Sequence, residues 1–384
     1  MKFYFILLIV LIITLILFYY EELLYKSEQK LEQKSEQKLE IEQFGNYNSS
    51  CGKYPELLKK AMEERNMVEN KEKYDVYIPC SYNSCEKDIL AFESDKSGKK
   101  IFLIDGCDWV GSKMALWELL KENYGDSANK YMPESYLLDR EQDLKAFSIK
   151  FYENKIKNPN QMYVLKNYAQ RQEGIKLTMD HDEIIKGINN GWYLAQEYKY
   201  DPYIIDKRKI NFRYYLLIVC KNNTIEAYIH KDGFLYYTPE FYDANDMTFD
   251  KHITTGYVDR AIYEKNPLTL EDFRVYLDSL GCGLRQKWDF SANNLMNKVM
   301  EAISKKICKN KKLDNHVRFQ LFGCDLAPTS NLEASLMEIN KGPDLSAKDE
   351  RDMQVKLKVQ KDIFSIVDPI DNECIINTRF DRIF

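Results

Sequence analysis

The 384-residue sequence has only four histidines, at 181, 230, 252 and 316, and no two of its nine cysteines stand at Cys-x-x-Cys spacing. A zinc site of clustered thiolates and imidazoles is therefore not indicated. A basic excess is also missing. The 55 lysines and arginines face 60 acids for a net charge of −5, which argues against nucleic acid as a partner. Glycine (15) and proline (10) are sparse, and 45% of residues are hydrophobic against 30% charged, which excludes collagen-like and disordered chains. No Ser–His–Asp pattern and no long internal repeat is visible. The cysteines, at 51, 80, 85, 107, 220, 282, 308, 324 and 374, are odd in number and read as buried or idle thiols of a protein kept reduced. The length suits two packed domains or one large α/β unit.

What is present begins with an uncharged run over residues 3–20, FYFILLIVLIITLILFYY. As a helix it reaches about 27 Å, enough for a bilayer core. It continues into YYEELL without a small-residue cleavage pattern, so residues 1–22 are expected to be a retained single transmembrane helix. Lys2 alone precedes the run, whereas Lys26, Lys30, Lys34 and Lys38 follow it, which predicts a single-pass membrane protein with its body in the cytosol. Two sequons, Asn48-Ser49-Ser50 and Asn222-Asn223-Thr224, point weakly the other way. Residues 26–40, KSEQKLEQKSEQKLE, hold too few apolar positions for a core. Residues 23–70 are read as a charged low-complexity stalk, with the folded body starting near Tyr74.

The body alternates short apolar runs with amphipathic stretches. DVYIP (75–79), KIFLID (100–105), YVLK (163–166), YYLLIVC (214–220), IEAYI (225–229), FQLFGCDL (319–326) and SLMEIN (335–340) read as strands. SKMALWELLKE (112–122) reads as a helix capped by Ser112, and Leu295, Val299, Ile303 and Ile307 mark one buried helix face. The pattern predicts a mixed α/β fold.

The last two strands carry the most informative chemistry. Asp325 and Glu338 are thirteen residues apart, with the midpoint in a polar loop, so a hairpin would set the two carboxylates opposite each other. Glu338 and Asn340, two apart, share a strand face. Three oxygen donors without histidine or cysteine suit Mg²⁺ and phosphate rather than zinc. A surface hairpin with solvated acids is the alternative. Lys166 closes a strand before the polar stretch NYAQRQEGIKLT, which could cover phosphates, although its single glycine makes the signal weak. Lys209 and Arg213 place two cations before a strong strand, a pattern that surface charges also produce. The run KKICKNKK (305–312) could bind acidic peptide, or simply complement a helix C-terminus.

Together these blocks resemble the tubulin–tyrosine ligase-like family, a branch of the ATP-grasp enzymes. The resemblance runs from YDVYIPCSYNSCEKDI through IFLIDGCDWVGSKMALWELL, YMPESYLL, YVLKNYAQRQEGIKLT, WYLAQEY and YIIDKRKINFRYYLLIV to HITT and LFGCDLAPTSNLEASLMEINKGPDL. It implies an ATP-grasp fold, with a smaller N-terminal α/β region over 71–140 and the ATP-grasp catalytic region over 141–384. It also implies an ATP- and Mg²⁺-dependent ligase that joins an amino acid to a protein, with tubulin as one candidate acceptor. Carried over by position, Asp325, Glu338 and Asn340 match the metal ligands. Lys113, Lys166, Gln196, Glu197 and Tyr198 match nucleotide contacts, Lys209 and Arg213 match the catalytic cations, and Thr254 faces the substrate.

Several departures from the family pattern matter, most of them on the acceptor side. The phosphate loop is one residue short, with RQEG in place of RGxG. Asn211 stands where the family has Asp, Tyr236 stands near the place of an arginine, and Thr255 replaces an Asn. They motivate a second reading, a ligase-derived domain that binds nucleotide or a partner without turnover.

Overall fold

The computed structural model describes residues 45–50, 55–82, 85–167, 174–254, 258–368 and 378–384. Among them, strands β1 (Asn46–Ser49), β2 (Val68–Glu69), β3 (Val76–Ile78) and β4 (Lys100–Ile101) come first, with helix α1 (Glu56–Glu63) between β1 and β2. Helix α2 (Lys113–Tyr124) follows, and the Ser112 hydroxyl caps it by accepting from the Ala115 amide. Strands β5 (Ser135–Leu137), β6 (Tyr163–Lys166), β7 (Ile175–Thr178) and β8 (Leu194–Glu197) form an antiparallel sheet in the order β5-β8-β6-β7. Helix α3 (Glu141–Lys157) buries Phe147 and Phe151 against Tyr136, Tyr163 and Leu165 of that sheet.

The rest of the chain builds a larger mixed sheet. Its strands are β9 (Ile204–Ile205), β10 (Arg208–Lys221), β11 (Thr224–His230), β12 (Phe234–Tyr237), β13 (Val317–Pro328), β14 (Ala334–Asn340) and β15 (Phe380–Arg382). The spatial order is β15-β11-β10-β13-β4-β3-β1-β2, with β9 and β12 on β10 and β14 on β13. Helices α4 (Leu270–Leu280) and α5 (Leu284–Ile303) lie on one face, and α6 (Glu350–Val367) with α1 on the other.

Strand β10 shows why the order follows from the sequence. Phe212, Tyr214, Leu216 and Ile218 pack into the core with Trp288 and Phe273, while Tyr215, Leu217 and Val219 pack with Phe319, Ile363 and Phe364. Alternate side chains enter opposite cores, so a central strand must be apolar at nearly every position. The run YYLLIVC is that signature.

Three expectations are corrected. The stalk expected over 23–70 is too long, because β1, α1 and β2 belong to the fold. Leu57, Leu58, Ala61 and Met62 are buried on α1, and Leu58 and Met62 pack in the core that holds Ile363 and Phe364 of α6. The reduced-thiol reading is overturned by a disulfide between Cys220 and Cys308, 88 residues apart, and Cys80 and Cys107 are disulfide-bonded too. A pair as distant as Cys220 and Cys308 leaves no local spacing to read. The membrane placement is corrected as well, since among the described residues no helix is long and apolar enough to cross a membrane. The run 3–20 that prompted it, and the segment 168–173 read as a phosphate loop, lie outside the described residues, as does Thr255.

Candidate active site

The cleft lies between the small sheet and β13–β14 of the large one. A cavity of about 530 Å³ is lined there by Lys166, Glu197, Tyr198, Lys209, Asn211, Arg213, Thr254, Asp325 and Glu338, among others. The structure thus brings together most of the residues singled out from sequence. A second cavity of about 300 Å³ adjoins it and holds Lys113 and Asn340, with Lys166 and Glu338 common to both.

The hairpin β13–β14 positions the carboxylates. Asp325 pairs directly with Glu338, but Leu326 pairs with Leu336, so Met337 is an extra residue in β14. This bulge has two consequences. Consecutive residues of a regular strand point to opposite faces, yet Met337 and Glu338 both line the cavity. The Met337 carbonyl accepts from Lys166 Nζ at 3.3 Å.

Each cation is held separately. Lys166, buried at the end of β6, also donates to Gln196 Oε1 at 2.7 Å. Gln196 does not line the cavity. Its amide is fully buried, donating to Ser135 Oγ at 2.9 Å, and its oxygen fixes the lysine. Lys209 donates to the Tyr198 hydroxyl at 3.2 Å, and that hydroxyl lies 2.9 Å from His252 Nδ1. The other ring nitrogen of His252 meets the Asp246 carbonyl, so Nδ1 is the acceptor and Tyr198 the donor. Arg213 grips Asp325 through Nε at 2.6 Å and Nη2 at 3.1 Å. Gly323 makes room for it, since a Cβ there would lie 3.1 Å from Arg213 Cδ. Lys113, at the start of α2, reaches Glu338 at 3.6 Å. Glu197 accepts from Asn154 Nδ2 at 2.8 Å.

The electrostatics follow from burial and neighbours. Burial pushes Lys166 down to about 8 despite the Glu338 charge. Burial, with Lys166 nearby, pushes Lys209 down to about 7. Asp325 is raised to about 6 by burial, against the pull of Arg213. For Glu338, burial is outweighed by Lys113 and Lys166, and the group stays below the usual carboxylate range. Burial raises Glu197.

Asp325, Glu338 and Asn340 supply two carboxylates and an amide oxygen, and Asn340 Nδ2 donates to Glu338 Oε1 at 3.2 Å. Among the described residues no group of three or more His, Cys, Asp or Glu could hold a metal ion. Two carboxylates plus an amide nonetheless fit a hard cation whose other ligands are phosphate oxygens and water.

Asn211, Tyr236 and Thr254 lie together in the lining of the same cavity. Asn211 and Tyr236 are cross-strand partners, and Asn211 Nδ2 donates to Thr254 Oγ1 at 3.1 Å. Asn211 Oδ1 is buried without a hydrogen-bond partner. Sequence reading did not single out Asp344 and Lys348, which line this end of the cavity. Their place just after the Gly342-Pro343 continuation of β14 was the available signal.

A family model described as "Tubulin-tyrosine ligase family" matches residues 92–376. Tubulin glycylase 3B of Drosophila melanogaster is 24% identical over 54% of this chain and 29% of its own length. Probable tubulin polyglutamylase TTLL9 of Rattus norvegicus is 28% identical over 46% of this chain and 38% of its own. Probable tubulin polyglutamylase ttll-9 of Caenorhabditis elegans is 27% identical over 62% and 58% respectively. The chain thus spans less than two thirds of the length of these relatives.

Proposed function

The chain belongs to the tubulin-tyrosine ligase family, within the ATP-grasp superfamily, and from that premise we propose that it is an ATP- and Mg²⁺-dependent carboxylate–amine ligase adding an amino acid to a protein. The observation that carries this reading is the direct pairing of Asp325 with Glu338 in a cavity that also holds Lys166, Lys209 and Arg213. Two acids beside three cations suit a polyanion whose charge must be both bound and redistributed.

In the proposed reaction the acceptor carboxylate attacks the γ-phosphorus of ATP. A C–O–P linkage forms, the bond to the β-phosphate oxygen breaks, and ADP leaves. The amine of the amino acid then attacks the carbonyl carbon, a C–N bond forms, phosphate departs and the nitrogen gives up a proton. Lys166, held by Gln196 and Met337, offers its ammonium to the phosphates. Lys209 and Arg213 would steady charge on the transferred group. Asp325, Glu338 and Asn340 would hold Mg²⁺, which when bound neutralises phosphate charge. Tyr198 and Glu197 lie where the resemblance puts the adenine contacts. Lys113 would reach the same phosphates from the second cavity. Thr254 belongs to the substrate end. The relatives' names make tubulin the first acceptor to test.

The deciding experiment is ATP-dependent incorporation of labelled glutamate, glycine or tyrosine into tubulin and cell extract. Incorporation with none of the amino acids would sink the ligase reading. One observation favours the reading without turnover. Asn211 stands where the resemblance leads one to expect an acid, and its Oδ1 is unsatisfied. Nucleotide binding without incorporation, restored by Asn211→Asp, would select it.

A further inference from the structure

Far from the cleft, β10 ends on Cys220 and Lys221 and returns as β11 at Thr224. Lys221 pairs with Thr224, so the loop has two residues, Asn222 and Asn223, with φ of 51° and 61°. That is the type I′ hairpin in which asparagine is favoured. With its amide nitrogen toward the carboxylate, Asn223 donates to Asp314. Asn222 is exposed, and so is Thr224. Asn-x-Thr is the acceptor triplet for asparagine-linked sugar.

A turn made of Asn-Asn meets that triplet by chance, so the triplet alone decides nothing. The second observation is the covalent link two residues earlier. Cys220, fully buried at the end of β10, is joined to Cys308, with Cα atoms 6.3 Å apart. Cys80 and Cys107 are disulfide-bonded elsewhere in the fold. Disulfides of this kind persist in chains matured in an oxidising compartment, the setting in which sequons are read. The other sequon offers a contrast. Asn48 is a half-buried strand residue paired with Tyr77, and its neighbour Ser49 is buried against Glu69.

We infer that Asn222 is an acceptor for an asparagine-linked oligosaccharide and that this domain matures in an oxidising secretory compartment. In the transfer, Asn222 Nδ2 bonds to the anomeric carbon of a lipid-pyrophosphate-linked oligosaccharide. The carbon–oxygen bond to the pyrophosphate breaks, and one amide proton is lost. Cys220 and Cys308 give up two electrons and two protons to a thiol–disulfide oxidant of the same compartment. Asn222 lies nine residues beyond Arg213 along an extended strand, about 30 Å away, so the sugar leaves the cleft open. The inference stands apart from the ligase reading and adds proteins of that compartment to tubulin as acceptors to test.

The test uses the full chain expressed in insect cells, with thiols blocked by N-ethylmaleimide at lysis. Glycan release by a peptide N-glycosidase in ¹⁸O-water should recover Asn222 as labelled aspartate. The Cys220 and Cys308 peptides should be joined before reduction. Thr224→Ala should abolish the label and Thr224→Ser should keep it. An unmodified Asn222 overturns the inference. So does a label that survives Thr224→Ala, and so do Cys220 and Cys308 recovered as maleimide adducts without reduction.

Discussion

Arg213 and Asp325 face each other across neighbouring antiparallel strands, and the guanidinium holds the carboxylate by two nitrogens, at 2.6 and 3.1 Å. Both side chains are largely buried, at 15% and 16% exposed. In such a setting the loss of one partner leaves the other uncompensated. Arg213→Leu should therefore cost about 3–5 kcal/mol in urea unfolding. Adding Asp325→Asn should restore much of it, giving a large coupling energy in the double-mutant cycle. Additive losses would mean that water already solvates Asp325. Arg213→Lys keeps the charge but not the two-pronged geometry, and should fall between.

On the proposed reading, nucleotide affinity should depend on pH through two lysines. Lys166 and Lys209 titrate at about 8 and about 7 in the folded chain, below the ordinary lysine range, because burial disfavours their charge. Between those values and the unfolded value, the unfolded chain binds more protons. These groups therefore make folding more favourable as pH rises through that window and penalise it below. Phosphates would pull both lysines back to the charged form. ATP binding at pH 8 should then take up protons, and affinity should weaken from pH 7 to pH 9. Calorimetry in two buffers of different ionisation enthalpy reads this uptake directly. Identical heats in both would remove the assignment of these lysines to the phosphates.

The sequence made the central strands and the carboxylate hairpin legible for a physical reason. YYLLIVC and FQLFGCDL are buried on both faces, so their apolar character is continuous. The Asp325–Glu338 pairing could be read from the midpoint of their loop, but the bulge at Met337 could not. It depends on packing, and it supplies the carbonyl that holds Lys166. Gln196, expected as a nucleotide contact, is instead fully buried beneath Lys166 and off the cavity wall, a placement that only packing decides. In α1 the signal was present and overlooked, since Leu57, Leu58, Ala61 and Met62 already fall at helical spacing in PELLKKAMEE. The Cys220–Cys308 link joins elements 88 residues apart, a separation no local pattern reports.

That link should carry measurable stability. It closes a loop of 88 residues between the end of β10 and the segment after α5. Constraining a loop of this length in the unfolded chain is worth about 2–5 kcal/mol. Cys308→Ser should lower the melting temperature by several degrees while nucleotide binding survives well below it, because neither cysteine lines the cleft. Equal melting curves for the Ser variant and the oxidised parent would show that the bridge adds nothing.

Glu338 gives the sharpest test of chemistry. Its carboxylate pairs across the hairpin with Asp325, lies 3.6 Å from Lys113 and accepts from Asn340. Glu338→Gln removes one charge with little change of shape. Folding should persist, since Lys166 keeps its bonds to Gln196 and Met337 and Lys113 retains contact with solvent. Phosphoryl transfer should fall on the order of 100-fold or more, the equivalent of several kcal/mol of lost charge stabilisation. Asp325→Asn should act similarly, and the double variant should be little worse than either, because groups serving one metal cluster are not additive. Glu333, exposed on the same hairpin, is the control and should tolerate Gln. The assay is ATP-dependent amino-acid transfer at saturating Mg²⁺, with thermal melting run in parallel. A folded Glu338→Gln protein with full activity would take the metal away from this hairpin, and the proposed phosphoryl transfer with it.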